Sequence, residues 1–166
     1  VIAIQDADDI ALKDRLEKML IPIYSGEAEF TISRIYRSRC SMDELDINDQ
    51  EKMLNLVKSR QIINKNGQYE YRDRPVLGFN TSVFKRSLFE ELGLFWEHRF
   101  GADMEIVERI LYHRTGKVFK KTEPNAHTFL RDCDPIPGVY KRIDEVLLVS
   151  ADMGADNLTN RHLRPE

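Results

Sequence analysis

The sequence predicts an α/β protein with a mixed sheet flanked by helices. Short runs rich in β-branched and aromatic residues, typical of strands, alternate along the chain with longer segments of helical apolar spacing. Polar stretches that contain Gly, Asn or Pro separate the two kinds of segment. This alternation favours a sheet with helices packed on it over an all-helical or all-strand architecture.

Four elements are predicted at the start of the chain. Residues 1–5 form an apolar run that predicts a buried strand, and the polar residues 6–9 follow as a loop at its carboxyl end. Apolar residues at helical spacing predict a helix over 13–24, and residues 28–37 predict a second strand. Because a buried strand is flanked by others, we expect an N-terminal segment before it, or association of two chains through the open edge.

The rest of the chain predicts further helices and strands around polar loops. The acidic stretch 40–50 and the prolines near residue 135 are expected to be irregular. We expect one domain over residues 1–150 and a loosely attached polar tail over 151–166. The predicted helices cover residues 49–63, 86–92, 102–115 and 138–149, and the predicted strands cover 68–72, 75–84 and 118–119.

Composition narrows the class of protein. Of the 166 residues, 42% are hydrophobic and 32% are charged, which suits a folded domain with a solvated surface. The net charge of −3 argues against a nucleic-acid partner, which would favour a basic surface. No apolar run reaches the ~20 residues that span a bilayer, so we expect no membrane span in this chain. The expected location is the cytoplasm, or the cytoplasmic face of a membrane through the full-length protein. Cys40 and Cys133 are expected to be free thiols.

A cluster of acidic residues follows the first predicted strand. Asp6, Asp8 and Asp9 repel one another unless a cation or hydrogen-bond donors offset their charge. Mg²⁺ and Mn²⁺ take carboxylate ligands, often with substrate phosphates completing the shell. A solvated acidic turn that caps the next helix is the simpler interpretation. A calcium loop fits poorly, because Ile10 and Ala11 occupy positions that need a ligand and a glycine.

Three motifs follow one another along the chain. They are Gln5-Asp6-Ala7-Asp8-Asp9 with Asp14-Arg15-Leu16-Glu17, then Asn80-Thr81-Ser82-Val83-Phe84-Lys85-Arg86 with Phe89 to Phe95, then Gly101-Ala102-Asp103-Met104-Glu105 with Arg109. In this order they resemble the motifs of glycosyltransferase family 2, whose members have the GT-A fold. The resemblance extends from residue 1 to about residue 130, although residues 37–74 match nothing and the family's first nucleotide-binding strands are absent.

The resemblance implies a metal-dependent inverting transfer of a sugar from a nucleotide-sugar donor to a glycan or other hydroxyl acceptor, as in polysaccharide biosynthesis. It implies that Asp103 is the catalytic base, with Glu105 as the second candidate. Asp8, Asp9 and His127 would hold Mn²⁺ or Mg²⁺. The nucleotide-sugar would be bound by Asp6, Asp8, Asp9, Asn80, Ser82 and Arg109.

Each of these roles has a structural alternative. Asp103 could simply complement the dipole at a helix start, and Glu105 with Arg109 has the i, i+4 spacing of an ion pair. His127 could be an ordinary surface or core histidine. Phe95 and Trp96 could stack on a sugar ring or only pack.

Two other functions compete with glycosyl transfer. The chain could be an incomplete or degenerate transferase-like domain that only binds glycans or a partner. A nucleotidyltransferase of similar topology is the other alternative, but it would need a Gly-rich phosphate loop that the sequence lacks.

Overall fold

A computed structural model of the chain describes residues 1–38, 40–59, 76–96, 102–118, 129–130 and 133–151. These residues form helices and strands in alternation, with one turn of 3₁₀ helix at Met42–Glu44. The strands are β1 (Ile2–Ala3), β2 (Asp9–Ala11), β3 (Phe30–Arg37), β4 (Val76–Phe84) and β5 (Tyr140–Ser150). The helices are α1 (Arg15–Tyr24), α2 (Gln50–Ser59), α3 (Arg86–Leu92) and α4 (Ala102–Thr115).

The strands within the described ranges form one mixed sheet in the order β1-β4-β3-β5-β2. β3 and β5 are parallel, and β4 is antiparallel to both β1 and β3, so β1, β3 and β5 run in the same direction. β2 is antiparallel to β5. The prediction of a mixed α/β class is therefore confirmed. β1 and β2 lie on opposite edges although only residues 4–8 separate them, so this short segment crosses the end of the sheet.

Helices cover both faces of the sheet. Neighbouring residues of a strand point to opposite faces, and Val83 and Phe84 of β4 show this directly. Val83 packs with Met19 and Ile23 of α1, whereas Phe84 belongs to the largest hydrophobic cluster. In that cluster α3 and α4 cover Phe84 and its neighbours on β3 and β5. The members that are at most 1% exposed are Phe30, Ile32, Phe84, Leu88, Ile106, Val107, Ile110, Leu111, Leu130 and Tyr140.

The predicted helix over 138–149 is wrong, because this segment contains the long strand β5. Ser33 pairs with Ile143 but Arg34 pairs with Val146, so extra residues of β5 bulge out of the ladder at this point. The bulge breaks the two-residue alternation of a strand and spaces the apolar residues as a helix would. β3 and β2 flank β5, and burial between them overrides the local pattern.

The first predicted strand is also corrected. The sequence predicts a buried strand over residues 1–5, but β1 has two residues at an edge of the described sheet, and Val1 is exposed. The predicted loop 6–9 ends in a strand that the prediction missed, because Asp9 begins β2. The chain therefore leaves one edge of the sheet and joins the other within a few residues.

Apart from the strand at 118–119, the other predicted helices and strands that fall within the described residues agree with the structure to within a few residues. The helices at 86–92 and 102–115 have the predicted bounds, and the helix at 13–24 starts two residues later than predicted. α2 ends at Ser59; the predicted residues 60–63, the strand 68–72 and the tail beyond residue 151 lie outside the described residues. Val118 is not in a strand, and Cys40 and Cys133 are free thiols as predicted.

None of the helices in the described ranges combines the length and the apolar character that crossing a membrane requires.

Candidate functional site

Asp6, Asp8 and Asp9 lie in a tight turn, named here the acidic turn (residues 6–9). It lies at the carboxyl end of β1, β3 and β5, which run in the same direction. Asp9 N donates a hydrogen bond to Asp6 O at 3.2 Å, which closes the turn. Ala151 N donates to Asp8 O at 3.0 Å, which fastens the turn to the end of β5. In open α/β sheets, ligands bind outside the carboxyl ends of the strands. The turn therefore occupies the part of the sheet where a ligand site is expected.

Asp9 is the most buried member of the acidic cluster. Asp9 is only 5% exposed, and Asn80 Nδ2 donates a hydrogen bond to its Oδ2 atom. Burial raises the pKa of Asp9 to about 6, and hydrogen bonds from Ser150 and Asn80 partly oppose this increase. Within the described part of the chain, the buried Asp9 Oδ1 has no hydrogen-bond partner. This carboxylate can bind a further cation or proton.

The pKa of Asp6 depends on charges in the acidic turn and on α4. Partial desolvation raises the pKa of Asp6, and the charges of Asp8 and Asp103 raise it further. The positive charge of Arg37 at the end of β3 acts in the opposite direction. Asp103 lies in the first turn of α4, so residues far apart in sequence contribute acidic groups to the same region.

An irregularity in β4 brings Asn80 to the acidic turn. Thr31 pairs with Val83 and Ser33 pairs with Gly78, so two steps along β3 correspond to five steps along β4. The extra residues form a bulge, named here the β4 bulge (residues 79–82). The Thr81 hydroxyl replaces lost ladder bonds: it accepts from Ser33 N at 2.8 Å and lies 2.6 Å from Gly78 O.

Gly78 makes this bulge possible. A Cβ atom at this position would lie 2.6 Å from Asn80 Oδ1 and 2.7 Å from Ile35 Cγ2, closer than side chains approach one another. Only glycine therefore allows Asn80 to fold back over β4 and reach Asp9.

Ser82, unlike Asn80, makes no side-chain hydrogen bond to the described residues. Ser82 is fully buried, its carbonyl oxygen accepts from Ile4 N at 2.9 Å, and its Oγ has no hydrogen-bond partner among the described residues. The prediction that Ser82 contacts the donor stays a prediction.

Arg15 of α1 lies between residues 4–8, named here the crossing segment, and the β4 bulge, and the sequence predicts no role for it. Its Nη1 atom donates to Gln5 Oε1 at 2.7 Å, and Nη2 donates to Ile4 O. Nη2 also lies 3.3 Å from the carbonyl oxygens of Asn80 and Thr81. The only sequence signal is a basic residue that follows an acidic cluster at the start of a helix.

Glu105 and Arg109 form a closed ion pair one turn along α4. Arg109 Nε donates to Glu105 Oε1 at 2.8 Å and Nη2 donates to Oε2 at 2.6 Å. Arg109 also donates to the carbonyl oxygens of Leu92 and Leu94 and stacks over the ring of Trp96, with 5.3 Å between Cζ and the ring centroid. These contacts are those of the predicted i, i+4 alternative, and they fasten α4 to the segment after α3.

Phe95 packs while Trp96 is largely exposed. The Phe95 ring contacts the rings of Phe79 and Phe89, with centroids 6.2 Å and 5.5 Å away. Phe79 belongs to the β4 bulge, so this aromatic contact supports the backbone that carries Asn80. Trp96 is 58% exposed, and the Arg109 guanidinium group lies over its ring.

The donor set suits a hard divalent ion only in part. Within the described ranges, no three Asp, Glu, His or Cys side chains come together as a metal-binding group, and His127 lies outside those ranges. Carboxylates such as Asp8 and Asp9 match the preference of Mg²⁺ and Mn²⁺, and the buried Asp9 Oδ1 accepts no hydrogen bond from the described residues. An ion held here would need further ligands, such as phosphate oxygens.

Comparison of the chain with protein-family models, with curated proteins and with solved structures finds no match in any of the three.

Proposed function

We propose that the protein is a metal-dependent inverting glycosyltransferase that uses a nucleotide-sugar donor and a glycan or other hydroxyl acceptor. One observation carries the proposal: Asp6 of the acidic turn and Asp103 of α4 come from distant parts of the sequence, yet they lie close enough for the charge of Asp103 to raise the pKa of Asp6 at the carboxyl end of the parallel strands. This end is the usual ligand side of such sheets. The order of the three sequence motifs adds support.

The donor would lie over the acidic turn. Asp8 and Asp9 would hold Mn²⁺ or Mg²⁺, whose chemical contribution is to neutralise the charge that develops on the leaving diphosphate. Asp6 would contact the ribose or a metal-bound water, and Asn80 would hold Asp9 in place through its existing hydrogen bond. Arg37 supplies a positive charge at the same end of the sheet, where a diphosphate would need it.

The acceptor would be activated by Asp103. In an inverting transfer the acceptor hydroxyl oxygen attacks the anomeric carbon while the bond to the diphosphate oxygen breaks on the opposite face. The Asp103 carboxylate would take the hydroxyl proton during this step. Glu105 suits this role less well, because both of its carboxylate oxygens already accept hydrogen bonds from Arg109.

A second candidate function is binding without catalysis. The observation that favours it is the lack of a three-ligand metal group among the described residues. A degenerate domain of this kind would bind a glycan or a partner through the same end of the sheet.

Ligand-dependent thermal stability distinguishes the two functions. We expect Mn²⁺ together with one nucleoside diphosphate, tested as UDP and GDP, to raise the melting temperature more than either ligand alone. Asp8→Asn should abolish the joint effect, and Glu105→Gln should keep it. If no nucleoside diphosphate stabilises the protein with or without Mn²⁺, the transferase proposal fails.

A further inference from the structure

Arg15 is a buried cation beneath the acidic turn. The residue is 2% exposed, and its acceptors, Gln5 Oε1 and the carbonyl oxygens of Ile4, Asn80 and Thr81, are all neutral. Among the described residues no carboxylate lies within ion-pair distance of its guanidinium group. A side chain that served only for packing here would be apolar, because removing a charge from water is costly without a charged partner.

The acidic turn explains this arrangement. Burial lowers the pKa of Arg15, and the charge of Asp9 acts in the opposite direction. The charges of Asp6 and Asp8 raise the pKa of Asp9, which shows that the carboxylates repel one another. A fixed positive charge close to them reduces this repulsion before any metal ion is present.

The guanidinium group also joins two walls of the site. Nη1 donates to Gln5 of the crossing segment, whereas Nη2 donates to Ile4 O of the same segment and also approaches the two carbonyl oxygens of the β4 bulge. Gln5 extends the connection, because its Nε2 atom donates to Asp9 O at 2.9 Å. Lysine could supply the charge but not this forked set of bonds.

We propose that Arg15 is a positioning residue that holds the acidic turn and the β4 bulge in the arrangement that binds a divalent cation. The proposal rests on the proposed function, because it assumes that Asp8 and Asp9 receive the ion. Arg15 itself contacts neither the ion nor the substrate. It acts by keeping Asp9 and Asn80 aligned and by offsetting the charge of the empty turn.

Two measurements on the whole chain test this role. Hydrogen exchange reports on the amides of Asp9 and Ala151, which bond to Asp6 O and Asp8 O. Electron paramagnetic resonance of free Mn²⁺ gives the dissociation constant of the metal, alone and with UDP. The variants are Arg15→Met, which removes charge and fork, Arg15→Lys, which keeps the charge, and Gln5→Ala, which breaks the relay at an exposed residue.

Arg114→Met is the matched control. Arg114 makes forked bonds to Glu29, with Nε to Oε2 at 2.6 Å, and to Glu91, with Nη1 to Oε1 at 2.7 Å. Glu29 precedes β3, so this cluster lies at the opposite end of the sheet from the acidic turn. Loss of Arg114 therefore affects general stability without touching the site.

We expect Arg15→Met to speed exchange of both amides at least about tenfold and to weaken Mn²⁺ binding about 10- to 100-fold. Arg15→Lys should recover part of the affinity, Gln5→Ala should speed exchange at Asp9, and Arg114→Met should change neither measurement. If Arg15→Met does not fold, Arg15→Lys and Gln5→Ala carry the test.

The failures of the two proposals are distinguishable. If the unmodified protein binds Mn²⁺ and the folded Arg15 variants bind it equally well, the role of Arg15 is refuted while the metal site stands. An equal loss of affinity in Arg114→Met also refutes it, because the effect is then general. If the unmodified protein binds no Mn²⁺ even with UDP, the proposed function fails together with the role of Arg15 that rests on it.

Discussion

The acidic turn and the Glu105–Arg109 pair both lie near the carboxyl end of the sheet, but they differ in how their charges are satisfied. In the pair, each carboxylate oxygen accepts a hydrogen bond from a cation. In the turn, three carboxylates share a small volume, and Asp9 Oδ1 has no partner among the described residues. The comparison shows that acidic residues from two sequence motifs differ in what they are suited to do. Glu105 is suited to a structural ion pair, whereas the acidic turn is suited to binding a ligand.

The largest expected difference is in catalysis. Asp103→Asn should lower the turnover number about 100- to 10,000-fold, because removal of a general base typically costs that much. Glu105→Gln should lower it far less, since Arg109 already occupies that carboxylate. Turnover would be measured with a nucleotide-sugar that binding experiments have identified. Equal losses in the two variants would erase the proposed distinction between them.

The next effect is on the pH dependence of stability. The pKa of Asp9 rises from 3.8 to about 6 in the folded protein, so the folded state binds this proton more tightly than the unfolded state. The resulting stabilisation is complete below the unfolded pKa and is lost as the pH rises through about 6. The contribution of Asp9 to the free energy of unfolding should therefore fall by up to about 3 kcal/mol over this range.

Urea unfolding with a chelator present would measure this change at several pH values. The free energy of unfolding of the wild type minus that of Asp9→Asn should fall between about pH 4 and pH 6, and the same difference should be retained when both proteins carry Glu105→Gln. A difference that stays constant or grows over this range would contradict the assigned environment of Asp9.

The Glu105–Arg109 ion pair should contribute to the stability of the fold. Glu105→Gln leaves Arg109 without its charged partner while Arg109 keeps its bonds to the carbonyl oxygens of Leu92 and Leu94. The side chains of Glu105 and Arg109 are 17% and 11% exposed, so we expect a loss of about 1–2 kcal/mol in the free energy of unfolding. Arg86→Ala, which removes a far more exposed i, i+4 pair with Glu90, should cost less than about 0.5 kcal/mol.

The smallest effect is expected at Arg37. Arg37→Ala should weaken binding of UDP in the presence of Mn²⁺ by about tenfold or less, because an exposed cation contributes little in water. Arg37→Lys should retain most of the affinity, and the loss should shrink at high salt. Titration calorimetry at two salt concentrations would measure this. An unchanged affinity in Arg37→Ala would separate Arg37 from the proposed diphosphate site.

Local sequence patterns predicted those parts of the fold that local interactions determine. α4 begins and ends where its apolar spacing and Gly116 indicate, and β3 follows its run of β-branched residues. β5 was mistaken for a helix because its bulge is set by pairing with β3, which lies about a hundred residues away in sequence. The β4 bulge has the same origin.

The site was predictable to a similar extent. The acidic residues are consecutive in sequence, so their chemistry could be read directly. Arg15 could not be assigned a role, because its acceptors include carbonyl oxygens of the β4 bulge, and backbone atoms carry no sequence signature. The proximity of Asp103 to Asp6 was expected only from a family resemblance, since no local pattern connects them.

The crossing segment, residues 4–8, has one more consequence. It joins the two outermost strands of the described sheet, each of which has only two or three residues of its own. Proteolytic cleavage at Ala7 would therefore break the covalent link between β1 and β2 in a single event. Each edge strand would then be held on that side only by its few backbone hydrogen bonds. A bound ligand that shields this peptide bond would slow such cleavage, so resistance to protease reports occupancy without any assay of turnover.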